Sequence, residues 1–216
     1  MSTPPPSKAG PAWIPASTRD WPTYFDRVAG GEPRSTLTQA LDAFDAEPSS
    51  EIRFAIDLGC GEGRDTAELL RRGWRVLAID GHPDGIRRLV SREDLVHTDR
   101  LTMQMRLFEG MTELPQADLI SASFSLPFCP PECFDTLWAG IRAAIKPGGR
   151  FAGQIFGDRD SWASIPDRSH FTRAQADSLF DGLKLEHFDE EEREGSDASD
   201  NHKHWHMFHI VAHRPA

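Results

Sequence analysis

Two aspartates, Asp57 and Asp80, stand where short apolar runs meet glycines, and a carboxylate in that position can hold a ligand. Asp57 lies in the run FAIDL (54–58), which leads into the turn GCGEG (59–63). Glycines let a chain turn tightly and approach a ligand closely, and the N–H groups at the start of a following helix are free to bind it. Asp80 ends the run RVLAID (75–80), where a carboxylate can accept hydrogen bonds from both hydroxyls of a ribose.

The glycine turn departs from the two common phosphate-binding patterns. A dinucleotide fingerprint needs its third glycine at position 64, which is Arg64 here, and a P-loop needs a Gly-Lys-Ser/Thr ending that is absent. The carboxylate of Asp57 would also repel a pyrophosphate, whereas it suits a cation. Asp57, the glycines and Asp80 together therefore describe a site for a cationic amino acid joined to a nucleoside, a description that S-adenosylmethionine (SAM) fits.

The elements that must position these residues alternate between strand and helix. Apolar patterns predict seven strands, at 54–58, 75–80, 101–105, 117–123, 150–156, 183–188 and 204–212. Helical patterns separate most of them, at 66–72, 83–90, 134–145 and 172–180. This alternation predicts an α/β fold, a Rossmann-like doubly wound seven-stranded sheet that is mostly parallel and covered on both faces. The last two strands have no helix between them, so we expect the last strand to be antiparallel.

Residues upstream of the first strand are expected to form a tail and a cap. Residues 1–18 are rich in proline, serine and alanine, and they predict a disordered tail without the apolar stretch of a secretory signal. Residues 19–50 predict an N-terminal helical cap, in which Thr36 to Gln39 has the spacing of a capping box. Residues 19–216 are predicted to form one domain.

The charge balance limits the partners. The chain has 24 Lys and Arg against 34 Asp and Glu, a net charge of −10, which argues against nucleic acid and against a membrane surface. Seven acids and one arginine lie in residues 189–200. We expect this acidic run to be a loop between the last two strands that overhangs the ligand end of the sheet and repels anionic substrates. Three cysteines make no disulfide framework and favour a cytoplasmic location.

Four segments resemble the class I SAM-dependent methyltransferases. The segment AIDLGCGEGRDTAELLRRGWRVLAID resembles the first two motifs of that family. PQADLISASFSLPF resembles its fourth-strand segment, IKPGGRFAGQIFG its turn into strand five, and HWHMFHIVA its terminal strand. The resemblance covers about residues 20–214. The motif DLGCGEGRDT and the HWH ending are also similar to a small bacterial group, the tellurite-resistance-type methyltransferases.

The resemblance implies that SAM is the cofactor and that its contacts come from the ends of the first four strands. Asp57 would hold the methionine amino group, Asp80 the ribose, and Glu109 the adenine. Ser123 and Phe124 would lie beside the methyl-bearing sulfonium. The full set of implied cofactor-binding residues is Asp57, Gly59, Cys60, Gly61, Asp80, Gly81, His82, Glu109, Gly110, Met111, Ser123 and Phe124.

Transfer of a methyl group from a sulfonium depends mainly on proximity and alignment, so the sequence need not contain a strong catalytic residue. A general base helps when the acceptor is a hydroxyl or an ammonium, and Tyr24 and His204 are the candidates. Tyr24 lies with Trp21 and Phe25 in the N-terminal segment that the family usually places over the site. Arg34 is a candidate partner for the cofactor carboxylate.

Two further groups of residues have the chemistry of metal ligands. His202, His204 and His206 alternate on one face of the last predicted strand and could hold a transition metal, although an exposed sheet edge explains them as well. Cys129 and Cys133 could hold a soft metalloid, but two thiolates do not make a structural zinc site. No metal is therefore predicted.

The sequence predicts a methyltransferase that moves the methyl group of SAM to a small-molecule nucleophile by in-line displacement. One alternative is a SAM-binding protein without transfer activity, acting as a sensor or a partner subunit. Another is a nicotinamide-dependent oxidoreductase, against which Arg64 at the third glycine position already argues. We expect a monomer or a homodimer, and the identity of the methyl acceptor does not follow from the residues.

Overall fold

Eight strands form one mixed sheet in the computed structural model, which describes residues 19–47 and 49–216. The tail predicted for residues 1–18 lies outside the described residues. The strands are β1 (Phe54–Leu58), β2 (Arg75–Asp80), β3 (Leu101–Met105), β4 (Ala117–Ala122), β5 (Ile145–Gly157), β6 (His170–Phe171), β7 (Lys184–Ser196) and β8 (His202–His213).

The strand order is β3-β2-β1-β4-β5-β8-β7, and the short β6 pairs with the end of β5. Neighbours among β1 to β5 are parallel, whereas β8 is antiparallel to both β5 and β7. The predicted doubly wound, mostly parallel sheet is therefore confirmed. Seven strands lie on its main path, and the two-residue β6 is an addition that the sequence did not indicate.

Six helices flank the sheet in the described part of the chain: α1 (Trp21–Val28), α2 (Ser35–Asp45), α3 (Arg64–Arg71), α4 (Pro83–Val90), α5 (Pro131–Ala144) and α6 (Arg173–Leu179). One buried apolar cluster lies between the sheet and α2, α3 and α4, and a second lies between the sheet and α5 and α6. Alternate residues of a strand supply the two clusters, as Ala55 and Ile56 do on β1. None of these helices is long and apolar enough to cross a membrane.

The two predicted helix caps have different outcomes. Thr172 caps α6 by a reciprocal capping box with Gln175, as its spacing indicates. The spacing at Thr36 misleads, because α2 begins at Ser35, two residues earlier than a cap at Thr36 implies, and it has no side-chain cap. The Thr36 hydroxyl instead accepts a hydrogen bond at 2.9 Å from the buried amide of Gln154 on β5. A tertiary contact thus uses the hydroxyl that the local pattern assigns to the helix end.

The prediction that residues 189–200 form a loop is wrong. β7 continues to Ser196, which pairs with His202 on β8, so only residues 197–201 form the hairpin turn. The acidic side chains enter the sheet because cations neutralise them across the strands. Glu190 and Glu192, for example, both pair with Arg159, at 2.8 and 2.9 Å.

The topology places one end of the sheet at a switch point. After β1 the chain moves outwards to β2 and β3, and it then returns to β4 on the other side of β1. In open α/β sheets ligands bind beyond the carboxyl ends of strands at such a point. The helix α1 lies at this end, where Asp26 pairs at 2.7 Å with Arg88 of α4 and Arg27 pairs with Asp200 of the hairpin turn.

Candidate functional site

The turn between β1 and α3 is built from glycines in left-handed conformations. Gly59, Gly61 and Gly63 have φ angles of 71°, 53° and 87°. A Cβ placed on Gly59 would lie 2.3 Å from the Cβ of Ser125, so a side chain there would displace the loop after β4 as well as strain the turn. The N–H of Gly59 donates to the carbonyl of Ile79 at 2.7 Å, which ties the turn to β2.

Asp80 holds the same turn from the end of β2. One carboxylate oxygen accepts the N–H of Gly61 at 2.8 Å, and the other accepts the N–H of His82 at 2.7 Å. Burial raises the pKa of the Asp80 carboxyl, and the two backbone hydrogen bonds oppose this rise. A carboxylate has about four acceptor positions, so about two remain for a ligand in the pocket that Asp80 lines.

Asp57 lies at the floor of the site and is 1% exposed. The Thr66 hydroxyl donates to its carboxylate at 2.6 Å. Burial raises the pKa of Asp57, and the nearby carboxylate of Asp65 raises it further, while the hydrogen bond from Thr66 opposes the change. A cation bound beside these two carboxylates would favour the ionised form of Asp57, so this position suits an ammonium group.

Two adjoining pockets open at this end of the sheet. The main pocket has a volume of about 650 Å³, which includes solvent at its open side, and its wall includes Asp80, Gly81 and His82. The smaller pocket, of about 370 Å³, includes Asp57 and Cys60. Both are lined by a shared set of residues at the junction: Tyr24, Phe25, Gly59, Gly61 and Ser123.

The smaller pocket carries both signs of charge. The acids Asp57, Glu62 and Asp65 and the cations Arg34 and Arg64 all belong to its lining. A ligand with an ammonium and a carboxylate, such as the methionine end of SAM, matches this wall. Arg64, which the sequence used only to exclude a dinucleotide, is a lining residue that the sequence did not indicate.

The roof of both pockets is aromatic and comes from α1. Trp21, Tyr24 and Phe25 line the main pocket, as their position before the first strand indicated. Phe25 meets the ring of His82 with centroids 6.1 Å apart, and Trp21 meets the edge of Phe128 at 4.8 Å. The roof therefore packs on both sides of the switch point.

The segment after β3 contributes a second wall of the main pocket. Glu109 lines it, together with Leu107 and Phe108, which the sequence analysis did not single out. Gly110 and Met111 do not line either pocket. Met111 is 1% exposed and packs in the apolar cluster under α5, so its side chain is not available to a cofactor ring.

The end of β4 supplies the wall opposite the glycine turn. Ser123 and Phe124 line the main pocket, and Phe124 has a left-handed φ of 52°. The N–H of Phe124 donates to the side-chain oxygen of Gln154 at 3.0 Å, and the guanidinium of Arg34 lies 4.5 Å from the Phe124 ring centre. Ser125 donates to the carbonyl of Leu58 at 2.6 Å, which joins β4 to β1.

The two candidate bases have different surroundings. Tyr24 lies at the junction of the pockets, beside Ser123. His204 does not line either pocket, and its ring nitrogens lie 2.7 Å from Glu194 and 2.9 Å from Glu192. Hydrogen bonds to these two carboxylates raise the pKa of His204. The structure therefore brings Tyr24 to the junction of the two pockets and leaves His204 on the β7–β8 hairpin.

The structure does not assemble either candidate group of metal ligands, the three histidines or the two cysteines, into a site. His202, His204 and His206 each contact carboxylates of β7 rather than one another. Cys129 is buried and Cys133 half-buried, and burial raises the pKa of both thiols. Across residues 19–47 and 49–216, no group of three or more His, Cys, Asp and Glu side chains is arranged to hold a metal ion.

Comparison with known proteins gives a consistent family. Residues 56–151 match the family described as a methyltransferase domain. A curated relative, the carboxy-S-adenosyl-L-methionine synthase of Pseudomonas putida, is 26% identical over 177 residues, which are 78% of this chain and 66% of that protein. An uncharacterized methyltransferase of Synechocystis sp. is 27% identical over 124 residues, 57% of this chain and 54% of that protein. The chain thus spans between about half and two thirds of the length of these relatives.

Among solved structures, TehB from Haemophilus influenzae has the same fold, with a TM-score of 0.69 at 16% identity over 90% of this chain and 67% of that chain. Together with the strand order, these matches show that the chain has the fold of the class I SAM-dependent methyltransferases and is similar to that family. SAM is the cofactor of that family, and the two strand-end carboxylates lie in adjoining pockets, Asp80 in one and Asp57 in the other.

Proposed function

We propose that this chain transfers the methyl group of SAM to a small-molecule nucleophile. The observation that carries the proposal is the junction of the two pockets, where Tyr24, Gly59 and Ser123 meet under an aromatic roof. When bound, SAM would supply the methyl group of its sulfonium: a lone pair of the acceptor would attack the methyl carbon in line, and the electron pair of the breaking carbon–sulfur bond would leave with sulfur, giving S-adenosylhomocysteine.

The residues of the chain bind and align. Asp80 would accept the ribose hydroxyls, and Asp57 with Asp65 would face the ammonium group of the methionine end. Arg34 or Arg64 would pair with its carboxylate. These contacts fix the cofactor, and the alignment of the acceptor then determines the rate, because a reacting pair held about 3–3.5 Å apart gains most of the advantage of proximity.

The roof contributes one hydroxyl. Tyr24 is the single tyrosine of the chain, and it lines both pockets. We propose that its hydroxyl accepts or relays the proton of a hydroxyl or ammonium acceptor. His204 is the weaker candidate for this role, since Glu192 and Glu194 hold its ring nitrogens away from the pockets.

The proposed acceptor is small because the main pocket, whose volume of about 650 Å³ includes solvent at its open side, must also hold part of the cofactor. A net charge of −10 favours small molecules over nucleic acid as partners. Free cysteines and the absence of a membrane-length helix among the described helices accord with the proposed cytoplasmic location. A monomer or homodimer stays a prediction, as does the domain boundary at residue 19.

The test is to measure SAM binding and product formation separately. Calorimetry with SAM and with NADH identifies the cofactor, and S-adenosylhomocysteine is then quantified after incubation with a panel of hydroxyl, amine, thiol and carboxylate acceptors. The Gly59→Val variant is the background control, because a side chain at Gly59 meets Ser125. SAM binding with acceptor-dependent product supports the proposal. SAM binding without product across the panel would instead favour a sensor or partner subunit.

A further inference from the structure

A bulky residue in the main pocket has a backbone conformation that side chains rarely allow. Phe124 has a φ angle of 52°, in the left-handed region. In the described part of the chain, two other residues besides glycines have such an angle, His97 and Asp200, and neither lines a pocket. A strained residue keeps its conformation only where the surrounding structure holds it, and such residues concentrate at functional sites.

The conformation of Phe124 brings two successive side chains to one wall. β4 ends at Ala122, and if the strand continued, Ser123 and Phe124 would face opposite sides of the sheet. Both residues nevertheless line the main pocket. The wall opposite the glycine turn therefore depends on the backbone angle of Phe124.

The side chain of Gln154 on β5 holds this backbone. Its oxygen accepts the N–H of Phe124 at 3.0 Å, and its NH₂ group donates to the Thr36 hydroxyl at 2.9 Å. A backbone N–H can only donate, so the amide oxygen must face Phe124 and the NH₂ group must face Thr36. Gln154 is 1% exposed and Thr36 is fully buried, so solvent does not reach the amide to replace either hydrogen bond.

The ring of Phe124 is held as well. The guanidinium of Arg34 lies 4.5 Å from the ring centre, and the ring of His209 meets it with centroids 6.2 Å apart. His209 is the residue of β8 that pairs with Gln154 in the sheet. The backbone N–H of Arg34 donates at 3.0 Å to Asp65, which lines the smaller pocket. The start of α2 therefore contacts the walls of both pockets.

The residue after Phe124 is anchored separately. The Ser125 hydroxyl donates to the carbonyl of Leu58 at 2.6 Å, which ties this position to β1. With Ser125 fixed on one side, loss of the hydrogen bond from Phe124 to Gln154 would be relieved at Phe124 itself. The left-handed conformation would relax, and the ring would leave its position in the wall.

We propose that Gln154 is a positioning residue for methyl transfer: its amide holds Phe124 in the left-handed conformation and thereby fixes the wall that aligns the acceptor. This inference rests on the proposed methyl transfer and adds to it a residue that lines neither pocket. A misplacement of about 1 Å can lower the rate of an aligned reaction roughly 100-fold. A displaced wall should therefore lower kcat and leave cofactor binding nearly unchanged.

The first variant is Gln154→Met, which keeps the length of the side chain and removes both polar groups. We expect kcat to fall roughly 10- to 100-fold at saturating SAM, with any acceptor of the panel that gives product. The Kd for S-adenosylhomocysteine should change by less than about threefold, because Gln154 does not contact Asp57, Asp80 or the glycine turn. A kcat within about threefold of the wild type would overturn the proposal.

The second variant, Gln154→Glu, is the conservative rescue. It keeps an oxygen for the N–H of Phe124 in either protonation state, and its second oxygen can bond to the Thr36 hydroxyl as donor or as acceptor. We expect kcat within about fivefold of the wild type, although a buried acid should lower the melting temperature. A purely structural role predicts that activity follows stability. Gln154→Glu as slow as Gln154→Met would therefore contradict positioning.

Two controls separate positioning from loss of stability. Trp138→Phe deletes another buried hydrogen bond, from Trp138 to the carbonyl of Leu179 at 3.1 Å, and it should lower the melting temperature without changing kcat. Phe124→Gly removes the ring and adopts the left-handed conformation without strain. Adding Gln154→Met to Phe124→Gly should lower kcat further by less than about threefold, since the two residues act as a unit. Fully additive losses would show that Gln154 does not act through Phe124.

Hydrogen exchange tests the contact without an acceptor. Measured by NMR in the complex with S-adenosylhomocysteine, the Phe124 amide should exchange at least about tenfold faster in Gln154→Met and at the wild-type rate in Trp138→Phe. Unchanged exchange in Gln154→Met would show that Gln154 does not hold Phe124.

The outcomes distinguish this inference from the proposed function. Product from the wild type together with an unchanged kcat in Gln154→Met overturns the role of Gln154 and leaves methyl transfer intact. Binding of S-adenosylhomocysteine by the wild type without product across the panel overturns methyl transfer and the role of Gln154 in it. The exchange rate of Phe124 then still decides whether Gln154 fixes the wall of the pocket.

Discussion

Replacing Asp80 by asparagine tests the link between the fold and cofactor binding. The carboxylate accepts N–H groups from Gly61 and His82 at 2.8 and 2.7 Å. An amide of the same shape has one oxygen, so it can accept one of these donors while its NH₂ group faces the other. Asp80→Asn therefore leaves one backbone N–H without a partner and removes the negative charge that would face the ribose.

The magnitudes follow from these two losses. An unpaired buried N–H costs roughly 1–3 kcal/mol of folding free energy. Burial raises the pKa of Asp80, which means that burial destabilises the ionised carboxylate in the folded state. Replacing it by a neutral amide therefore recovers part of the folding free energy that the unpaired N–H costs. We expect a net decrease in the lower half of that range and a melting temperature about 2–6 °C lower. Loss of charged hydrogen bonds to the ribose should raise the Kd for SAM roughly 10- to 100-fold.

Calorimetric titration with S-adenosylhomocysteine measures the affinity, and thermal unfolding measures the stability. Asp99→Asn is the control, because Asp99 is exposed in the short turn before β3. At saturating SAM the kcat of Asp80→Asn should stay within about threefold of the wild type, since Asp80 holds the cofactor in both ground and transition states. An unchanged Kd in Asp80→Asn would show that Asp80 supports only the glycine turn and would refute the ribose assignment.

Three further predictions concern titration, buried charge and catalysis. Burial and Asp65 raise the pKa of Asp57, so the affinity for SAM should rise as pH rises through this pKa, and binding should release a proton. Calorimetry in buffers of different ionisation enthalpy measures the proton release. The Asp57→Asn variant should show no such pH dependence. The same raised pKa means that Asp57 opposes folding as pH rises above its ordinary value near 3.8, so the Asp57→Asn variant should be less sensitive to pH in thermal unfolding. Lys203→Met leaves Asp160 buried without its cation and should lower stability by roughly 3–5 kcal/mol in urea unfolding, whereas the exposed Arg173→Met should change it by less than about 1 kcal/mol. Tyr24→Phe should lower kcat for a hydroxyl acceptor by about 100-fold or more, with KM for SAM unchanged; an equal loss for a thiolate acceptor would contradict the role as base.

The ends of the first four strands and the turn between β1 and α3 could be predicted from local pattern. A short apolar run that ends at a glycine is a local pattern typical of a buried strand. For this reason β1 and β2 match their predicted ranges residue for residue. Asp57 and Asp80 then follow, because residues at the carboxyl ends of neighbouring parallel strands lie at the same edge. Met111 shows the limit of this reasoning, since its place in the core depends on packing under α5.

The sequence by itself determined the class of fold and the candidate cofactor residues, because an alternating pattern, a glycine turn and two spaced carboxylates are local features of the chain. Only the tertiary structure determined where the charged side chains lie and with which partners they pair. Residues 189–196 became a strand because Arg159 and the histidines of β8 pair with their carboxylates, while Arg193 of the same strand pairs with Glu191. Arg19, Arg168 and Lys203, which are far apart in the chain, form one buried group. Electrostatic energy depends on distance and burial, which a linear charge count does not contain.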